Sequence, residues 1–184
     1  DDNGIIRDLS SVIQDLNQTT INQKTIEIIN NINPKKLPEI SNKTRIGACV
    51  SNPQKFIGIG LNYSDHAAET GMKIPSEPII FLKANSCITG PYDDVHWYHD
   101  TCQQMDYEVE LGVIIGKRAS RVTEKDALNY VLGYTVVNDV SARDLQLGGA
   151  GQWDIGKSLD TFCPYGPAIV TTNEISDPHN LNLN

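Results

Sequence analysis

The stretch DYEVELGVIIG, residues 106–116, decides how the central part of this chain folds. Charged and apolar residues alternate along it, which is typical of a β-strand with one polar face. Because successive strand side chains point to opposite faces, Glu108 and Glu110 are predicted to share one face. The opposite face is apolar and is expected to pack in the core through Val109, Leu111 and Val113.

A third carboxylate, Asp139, ends another apolar run, YTVVND, residues 134–139. Like charges on one strand face repel each other and resist removal from water, and a bound cation relieves both effects. Carboxylate oxygens favour hard cations, so Glu108, Glu110 and Asp139 predict a site for Mg²⁺ or Mn²⁺, with Ca²⁺ as a further candidate. A solvated strand face is the commoner origin of Glu-x-Glu alone, so the rest of the chain must decide between the two.

Short β-rich runs separated by turn residues surround the central strand and predict an α+β fold that is mainly β. One helix is expected over residues 124–132, with Thr123 as its N-cap and Gly133 as its stop. The β-rich runs are TRIGACV (44–50), KFIGIG (55–60), PIIFL (78–82), YEVELGVII (107–115), YTVVNDV (134–140) and AIVTT (168–172).

The first fifty residues have a helical pattern instead. Apolar residues recur at helical spacing over 9–16, and a second helix is expected to follow a capping box formed by Thr20 and Gln23. We therefore predict a small helical segment at residues 1–50 and a main domain at 51–184.

The composition limits which classes of molecule the chain is expected to bind. A net charge of −8, from 15 basic and 23 acidic residues, disfavours nucleic acid, because no excess of Lys and Arg exists to neutralise phosphates. The four cysteines lie far apart, and neither a signal peptide nor a long apolar run is recognisable, so a cytoplasmic location away from membranes is expected. The ends, DDNG and HNLNLN, suggest that sequence is missing on both sides.

A candidate base lies in GIGLNYSDHAAETG, residues 58–71. His66 and Glu69 are three residues apart on a predicted short helix and so share a face. A carboxylate that orients a histidine makes it a usable general base near neutral pH. A surface His–Glu pair on a helix is the simpler alternative.

Candidate anion-binding residues follow Asp139. Arg143 and Gln146 come four and seven residues later, and on a helix they would share its face. Lys157 lies in the Gly-rich segment GKSLDT. Arg and Lys at such positions can hold a carboxylate or stabilise an oxyanion, although an ordinary surface loop would have the same composition.

A different metal site is conceivable at HWYHDTC, residues 96–102. His96, His99 and Cys102 are zinc-type ligands, but no fourth ligand follows at a typical spacing, so this reading is disfavoured.

Taken together, five segments resemble the fumarylacetoacetate hydrolase family in content and order. They cover roughly residues 55–172. The segments are GLNYSDHAAETG, FLKANSCITGP, DYEVELGVIIGKRA, GYTVVNDVSARDLQ and QWDIGKSLDTFCPYGP.

This resemblance implies a mixed β-sheet roll or barrel-like catalytic domain, a homodimer, and bound Mg²⁺ or Mn²⁺. It places the metal ligands at Glu108, Glu110 and Asp139 and the catalytic His–Glu pair at His66 and Glu69. It assigns the substrate side of the site, with Lys157 in a catalytic role, to Arg143, Gln146, Lys157 and Thr161.

The implied activity is metal-dependent cleavage of a C–C bond in a small 2-oxo or 2,4-dioxo acid, as in fumarylacetoacetate or acylpyruvate hydrolysis. Other activities in the family are alternatives: oxaloacetate decarboxylation, 2-hydroxyhepta-2,4-diene-1,7-dioate isomerisation or a ureidoglycolate lyase-like reaction. Family members usually continue past this point with a strand-rich segment. The domain is therefore expected to be incomplete at its C-terminus, and a catalytically silent, metal-stabilised dimerisation module is a further alternative.

Overall fold

A computed structural model describes residues 4–183. The helices are α1 (Gln23–Asn30), α2 (Ser64–Glu69), α3 (Arg143–Leu147) and α4 (Asp154–Lys157), with 3₁₀ turns at Pro34–Lys36, Asn85–Cys87 and Glu124–Tyr130. The strands are β1 (Ile57–Gly60), β2 (Ile79–Leu82), β3 (Ile88–Thr89), β4 (Met105–Asp106), β5 (Val109–Ile115), β6 (Val131–Asn138), β7 (Ser141–Ala142) and β8 (Cys163–Thr171). The fold is mainly sheet with few helices, which confirms the predicted class.

The largest sheet has four strands in the order β3-β8-β6-β5. Strands β5, β6 and β8 are antiparallel neighbours, whereas the short β3 pairs with β8 in parallel. Two smaller antiparallel pairs, β1-β2 and β4-β7, complete the sheet structure of the described residues. Within residues 4–183 the strands form three separate sheets and no closed barrel.

The core lies under β6 and β8. Phe162 and Cys163 are fully buried there, and Val137 and Tyr165 pack beside them. Tyr165 donates its hydroxyl hydrogen bond to the carbonyl of Val50, so the segment before β1 is joined to the core. The four cysteines, Cys49, Cys87, Cys102 and Cys163, are free thiols. No helix within residues 4–183 has the length and apolarity needed to cross a bilayer.

The N-terminal prediction is half correct. The second helix exists as α1, but its N-cap is Asn22, whose side chain accepts a hydrogen bond from Thr25 N–H, and not Thr20. The expected helix over residues 9–16 is wrong. A single turn forms there, because Asp8 and Asn17 bond to nearby backbone N–H groups and offer the chain an alternative to a helix.

Two further element predictions need correction. Residues 124–130 form a 3₁₀ helix, and Gly133 lies inside β6 and does not stop a helix. Its position in the strand is tight, because an added Cβ would lie 2.4 Å from the carbonyl oxygen of Val170. Residues 44–50 form no strand.

The two faces of β5 are also reversed relative to the prediction. Val109 and Val113 are 40% and 49% exposed, and Val136, opposite Leu111 in the register, is 56% exposed. The face that carries Glu110 is the more covered one, since Glu110, Gly112 and Ile114 are all half-buried.

Candidate active site

The register of β5 with β6 brings the acidic residues together. Val109 lies opposite Asn138, so the residues on either side of this pair, Glu108 and Asp139, are also neighbours. Asp139 N–H donates a 2.9 Å hydrogen bond to the Glu108 carbonyl and extends the ladder by one step. Glu110 follows two residues after Glu108, on the same face of the strand.

A buried ammonium bridges two of these carboxylates. Lys157 is 2% exposed, and its Nζ donates to Glu108 Oε2 at 2.7 Å and to Asp139 Oδ2 at 2.7 Å. A second lysine, Lys83, is 3% exposed and donates to Asp139 Oδ1 at 2.5 Å and to the Val140 carbonyl at 3.3 Å. Each carboxylate oxygen of Asp139 therefore has its own cation.

Arg143 binds two carboxylates of the cluster. Its Nη2 donates to Glu108 Oε1 at 2.5 Å and to Asp106 Oδ2 at 2.8 Å. Its Nη1 donates to Oε1 of the buried Gln146 at 2.9 Å. The predicted substrate-side residues Arg143, Gln146 and Lys157 thus join the predicted metal ligands in one hydrogen-bonded network.

Glu110 is the exception in this network. Within residues 4–183 it forms no ion pair with a Lys, Arg or His. Burial, and then the negative charges of Glu108 and Asp139, raise the pKa of Glu110 to about 7, although Tyr63 and Lys157 partly offset the rise. A cation bound among the three carboxylates would restore the charge of Glu110.

The chemistry of the donors fits a hard divalent cation, since all three predicted ligands offer carboxylate oxygens. In the described part of the chain, no three His, Cys, Asp or Glu side chains are grouped closely enough to enclose a metal. The Lys157 ammonium lies between Glu108 and Asp139, 2.7 Å from one carboxylate oxygen of each. A cation held by these carboxylates would compete with the Lys157 ammonium for their oxygens.

The position of Lys157 is fixed by hydrogen bonds between the region of α4 and the end of β2. Asp154 Oδ1 accepts a 2.7 Å hydrogen bond from Leu82 N–H, and Ser158 Oγ accepts one of 3.0 Å from Ala84 N–H. The Lys157 ammonium lies 5.1 Å from the centroid of the Phe81 ring, within the range of a cation–π contact.

His66 and Glu69 both lie on α2, as predicted. His66 is half-buried and Glu69 is exposed, and within residues 4–183 their side chains form neither a hydrogen bond nor an ion pair with each other. Helix α2 is nevertheless joined to the carboxylates, because the hydroxyl of its N-cap residue Tyr63 accepts a 3.3 Å hydrogen bond from Leu111 N–H. The roles of His66 and Glu69 stay predictions.

Thr161 is not brought into the network. Its Oγ1 accepts a 2.9 Å hydrogen bond from His96 N–H, which fixes the loop before β4. The alternative zinc ligands do not gather either: the ring of His99 stacks on Trp97 at 4.7 Å, whereas Cys102 is fully buried.

Sequence reasoning missed Lys83 and Asp106. Alternation along PIIFLK already placed Lys83 on the same side as the buried Phe81, and alternation along DYEVE placed Asp106 with Glu108. These two alternation patterns could have predicted that both residues lie near the site. The cation that each residue contacts depends on how far the side chains reach, which alternation does not predict.

The sequence and the fold are similar to those of known proteins. Residues 55–184 match the family model for the C-terminal domain of fumarylacetoacetate (FAA) hydrolase. A curated relative from Burkholderia ambifaria, whose name gives only the general class of a hydrolase, is 50% identical over 183 residues. That match spans all of this chain and 64% of the relative, so the chain covers less than two thirds of the curated protein.

Two solved structures are similar as well. A fumarylacetoacetate hydrolase from Exiguobacterium antarcticum is 40% identical, with a TM-score of 0.70 over 80% of this chain and 53% of that one. A 5-carboxymethyl-2-hydroxymuconate delta-isomerase from Mycobacterium smegmatis is 41% identical, with a TM-score of 0.61 over 73% of this chain and 56% of that one.

Proposed function

The chain belongs to the fumarylacetoacetate hydrolase family, and from this premise we propose that it is the metal-binding part of an enzyme that cleaves a C–C bond in a small 2-oxo or 2,4-dioxo acid. The observation that carries the proposal is the network in which Glu108, Asp139, Lys157 and Arg143 are joined, with Glu110 beside them. Fold alone would not support an activity, because one fold hosts many reactions.

Glu108, Glu110 and Asp139 would hold Mg²⁺ or Mn²⁺ in this proposal. When bound, the cation supplies a Lewis acid that polarises the 2-oxo group and favours the enolate left after cleavage.

The remaining residues bind the substrate and move protons. Arg143, supported by Gln146, presents a planar guanidinium suited to a carboxylate, and Lys157 supplies an ammonium that can stabilise an oxyanion. His66, with Glu69 beside it on α2, takes a proton from the water that attacks the distal carbonyl. The C–C bond of the resulting adduct then breaks, its electron pair passes to the enolate, and the attacked acyl part leaves as a carboxylic acid. The proton held by His66 returns to the enolate carbon and gives the 2-oxo acid product.

The test is an assay of acylpyruvates and oxaloacetate with Mg²⁺, with Mn²⁺ and with a chelator. We expect turnover that the chelator abolishes. Glu108→Ala is expected to lose both metal binding and activity, whereas His66→Ala keeps the metal and loses hydrolysis. Wild-type turnover by His66→Ala would refute the base assignment.

Isomerisation is a second candidate, supported by the similarity to the 5-carboxymethyl-2-hydroxymuconate delta-isomerase. Both reactions pass through an enolate, but only hydrolysis requires water to attack a distal carbonyl. Analysis of products by NMR separates them, since an isomer retains every carbon of the substrate. A silent dimerisation module is favoured instead if no dioxo acid is turned over although the metal binds.

A further inference from the structure

Lys83 is a buried cation that the proposed reaction does not use. It follows β2 directly, and its side chain extends to Asp139 Oδ1 and the Val140 carbonyl. Removing an ammonium from water is costly unless it is paired and hydrogen-bonded. Both requirements are met here by acceptors at the end of β6, so Lys83 joins β2 to the point where Asp139 enters the site.

The backbone around Lys83 is fixed by hydrogen bonds. Lys83 N–H donates to the Phe56 carbonyl at 3.0 Å, and the N–H groups of its neighbours Leu82 and Ala84 are held by Asp154 and Ser158. Three consecutive N–H groups are therefore bonded. The Lys83 side chain thus starts from a rigid base.

The two lysines at Asp139 differ in what else they contact. Lys83 is bonded to Oδ1 and to a carbonyl, and it contacts no other carboxylate of the site. Lys157 is bonded to Oδ2 and also to Glu108, so it lies between two predicted metal ligands. Asp139 Oδ1 is therefore turned toward β2, whereas Oδ2 is turned toward Glu108.

We propose, on the basis of the proposed metal site, that Lys83 is a positioning residue that fixes Asp139 through Oδ1, and that Lys157 is the internal counter-ion that a divalent cation displaces. Lys83 keeps Oδ2 directed at the other carboxylates whether or not the cation is bound. Lys157 leaves its bridge when the cation enters, and its ammonium becomes available to the substrate.

The proposal predicts effects of opposite sign for two similar substitutions. By charge alone, removing either lysine strengthens cation binding, because a nearby positive charge is lost. If Lys83 positions Asp139, Lys83→Met weakens binding instead, by about 10–100-fold as for other residues that orient metal ligands. Lys157→Met removes the competitor and tightens binding several-fold.

The experiment measures Mg²⁺ affinity by titration calorimetry and Mn²⁺ affinity by the loss of the free-ion EPR signal, on the full 184-residue chain. The variants are Lys83→Met, Lys83→Arg and Lys157→Met, with Lys55→Met at an exposed position as the control. Near-UV circular dichroism checks that each variant is folded. We expect Lys83→Arg to bind with intermediate affinity and Lys55→Met to bind like the wild type.

Unchanged or tighter binding by Lys83→Met would overturn the positioning role, and weaker binding by Lys157→Met would overturn the counter-ion role. If Lys83→Met does not fold, Lys83→Arg decides: positioning predicts weaker binding, whereas a role of charge alone predicts wild-type affinity. Failure of the wild-type chain to bind either ion would remove the metal site, and with it both this inference and the proposed function. If the wild type binds the ions but the lysine variants respond against expectation, only this inference fails, so the two failures are distinguishable.

Discussion

Glu110 differs from the carboxylates beside it because, within residues 4–183, no Lys, Arg or His forms an ion pair with it. Glu108 is bonded to Arg143 and Lys157, and Asp139 is bonded to Lys83 and Lys157. Glu110 is half-buried beside both acids, and this environment disfavours its charged form. The cluster therefore has one carboxylate whose charge is the easiest to remove.

This difference predicts how stability depends on pH in the metal-free chain. The pKa of Glu110 rises from 4.5 to about 7 on folding, chiefly through burial. Between these values the folded chain binds more protons than the unfolded chain, so the free energy of unfolding falls as pH rises through this window. After a discount for partial solvent exposure, we expect a fall on the order of 1–2 kcal/mol, measured by urea unfolding with a chelator present.

Glu110→Gln should remove this contribution, since the amide does not titrate. Glu27→Gln, at an exposed position on α1, is the matched control and should keep the wild-type pH profile. An identical pH profile in the wild type and Glu110→Gln would contradict the prediction.

At the residue scale, the sequence predicts which residues come close together better than it predicts which atoms they contact. The alternation of DYEVE and the position of Asp139 at a strand end were enough to predict that the acids would meet. The burial of β5 was predicted on the wrong face. Apolar residues do not by themselves determine which side of a sheet other segments will cover, as the exposed Val113 shows.

At the scale of elements, α4 is held close to α3 by a residue without a side chain. An added Cβ on Gly156 would lie 2.5 Å from the Ala142 carbonyl oxygen and 2.5 Å from Gln146 N. Both atoms belong to backbone, which cannot rotate away as a side-chain end could. Lys157 is the next residue, so the approach of α4 to α3 sets where the ammonium begins.

Gly156→Ala is therefore expected to move α4 and to destabilise the chain by about 1–3 kcal/mol, as over-packing does elsewhere. The displacement should also weaken the Lys157 bridge and reduce any turnover of dioxo acids. Urea unfolding followed by circular dichroism measures the first effect.

Gly47→Ala is the control, because its Cβ would meet only the end of the Arg45 side chain at 3.6 Å. Equal stability of the two alanine variants would show that α4 can shift without cost.

The elements that could be predicted are those with a long, regular pattern. β5, β6 and α1 have such patterns and were found close to the expected places. Strands β4 and β7 have two residues each, which is too short for any periodicity, and their pairing depends on tertiary packing. The turn over residues 9–16 shows the opposite error, where a helical spacing is overridden by local side-chain bonds.

At the scale of the whole molecule, the local charge of the site differs from the charge of the chain. The chain is acidic, with a net charge of −8. The site nevertheless gathers three cations, Lys83, Arg143 and Lys157, with four carboxylates, Asp106, Glu108, Glu110 and Asp139. One divalent cation added to this set would turn a small negative excess into a small positive one, which favours an anionic substrate.

The proposed cation should therefore stabilise the folded chain as a whole. A ligand that binds only the folded state adds about 2.7 kcal/mol at a concentration 100 times its Kd. We expect the melting temperature, followed by differential scanning fluorimetry, to rise steadily with Mg²⁺ or Mn²⁺ and to return on addition of a chelator.

Glu110→Gln is the sharpest control, because Glu110 holds no lysine or arginine in the described part of the chain, so its loss breaks no ion pair. It should lose most of the stabilisation by cation while it stays folded. A melting temperature that does not respond to cation in the wild type, or that responds equally in Glu110→Gln, would contradict a site built on these three carboxylates.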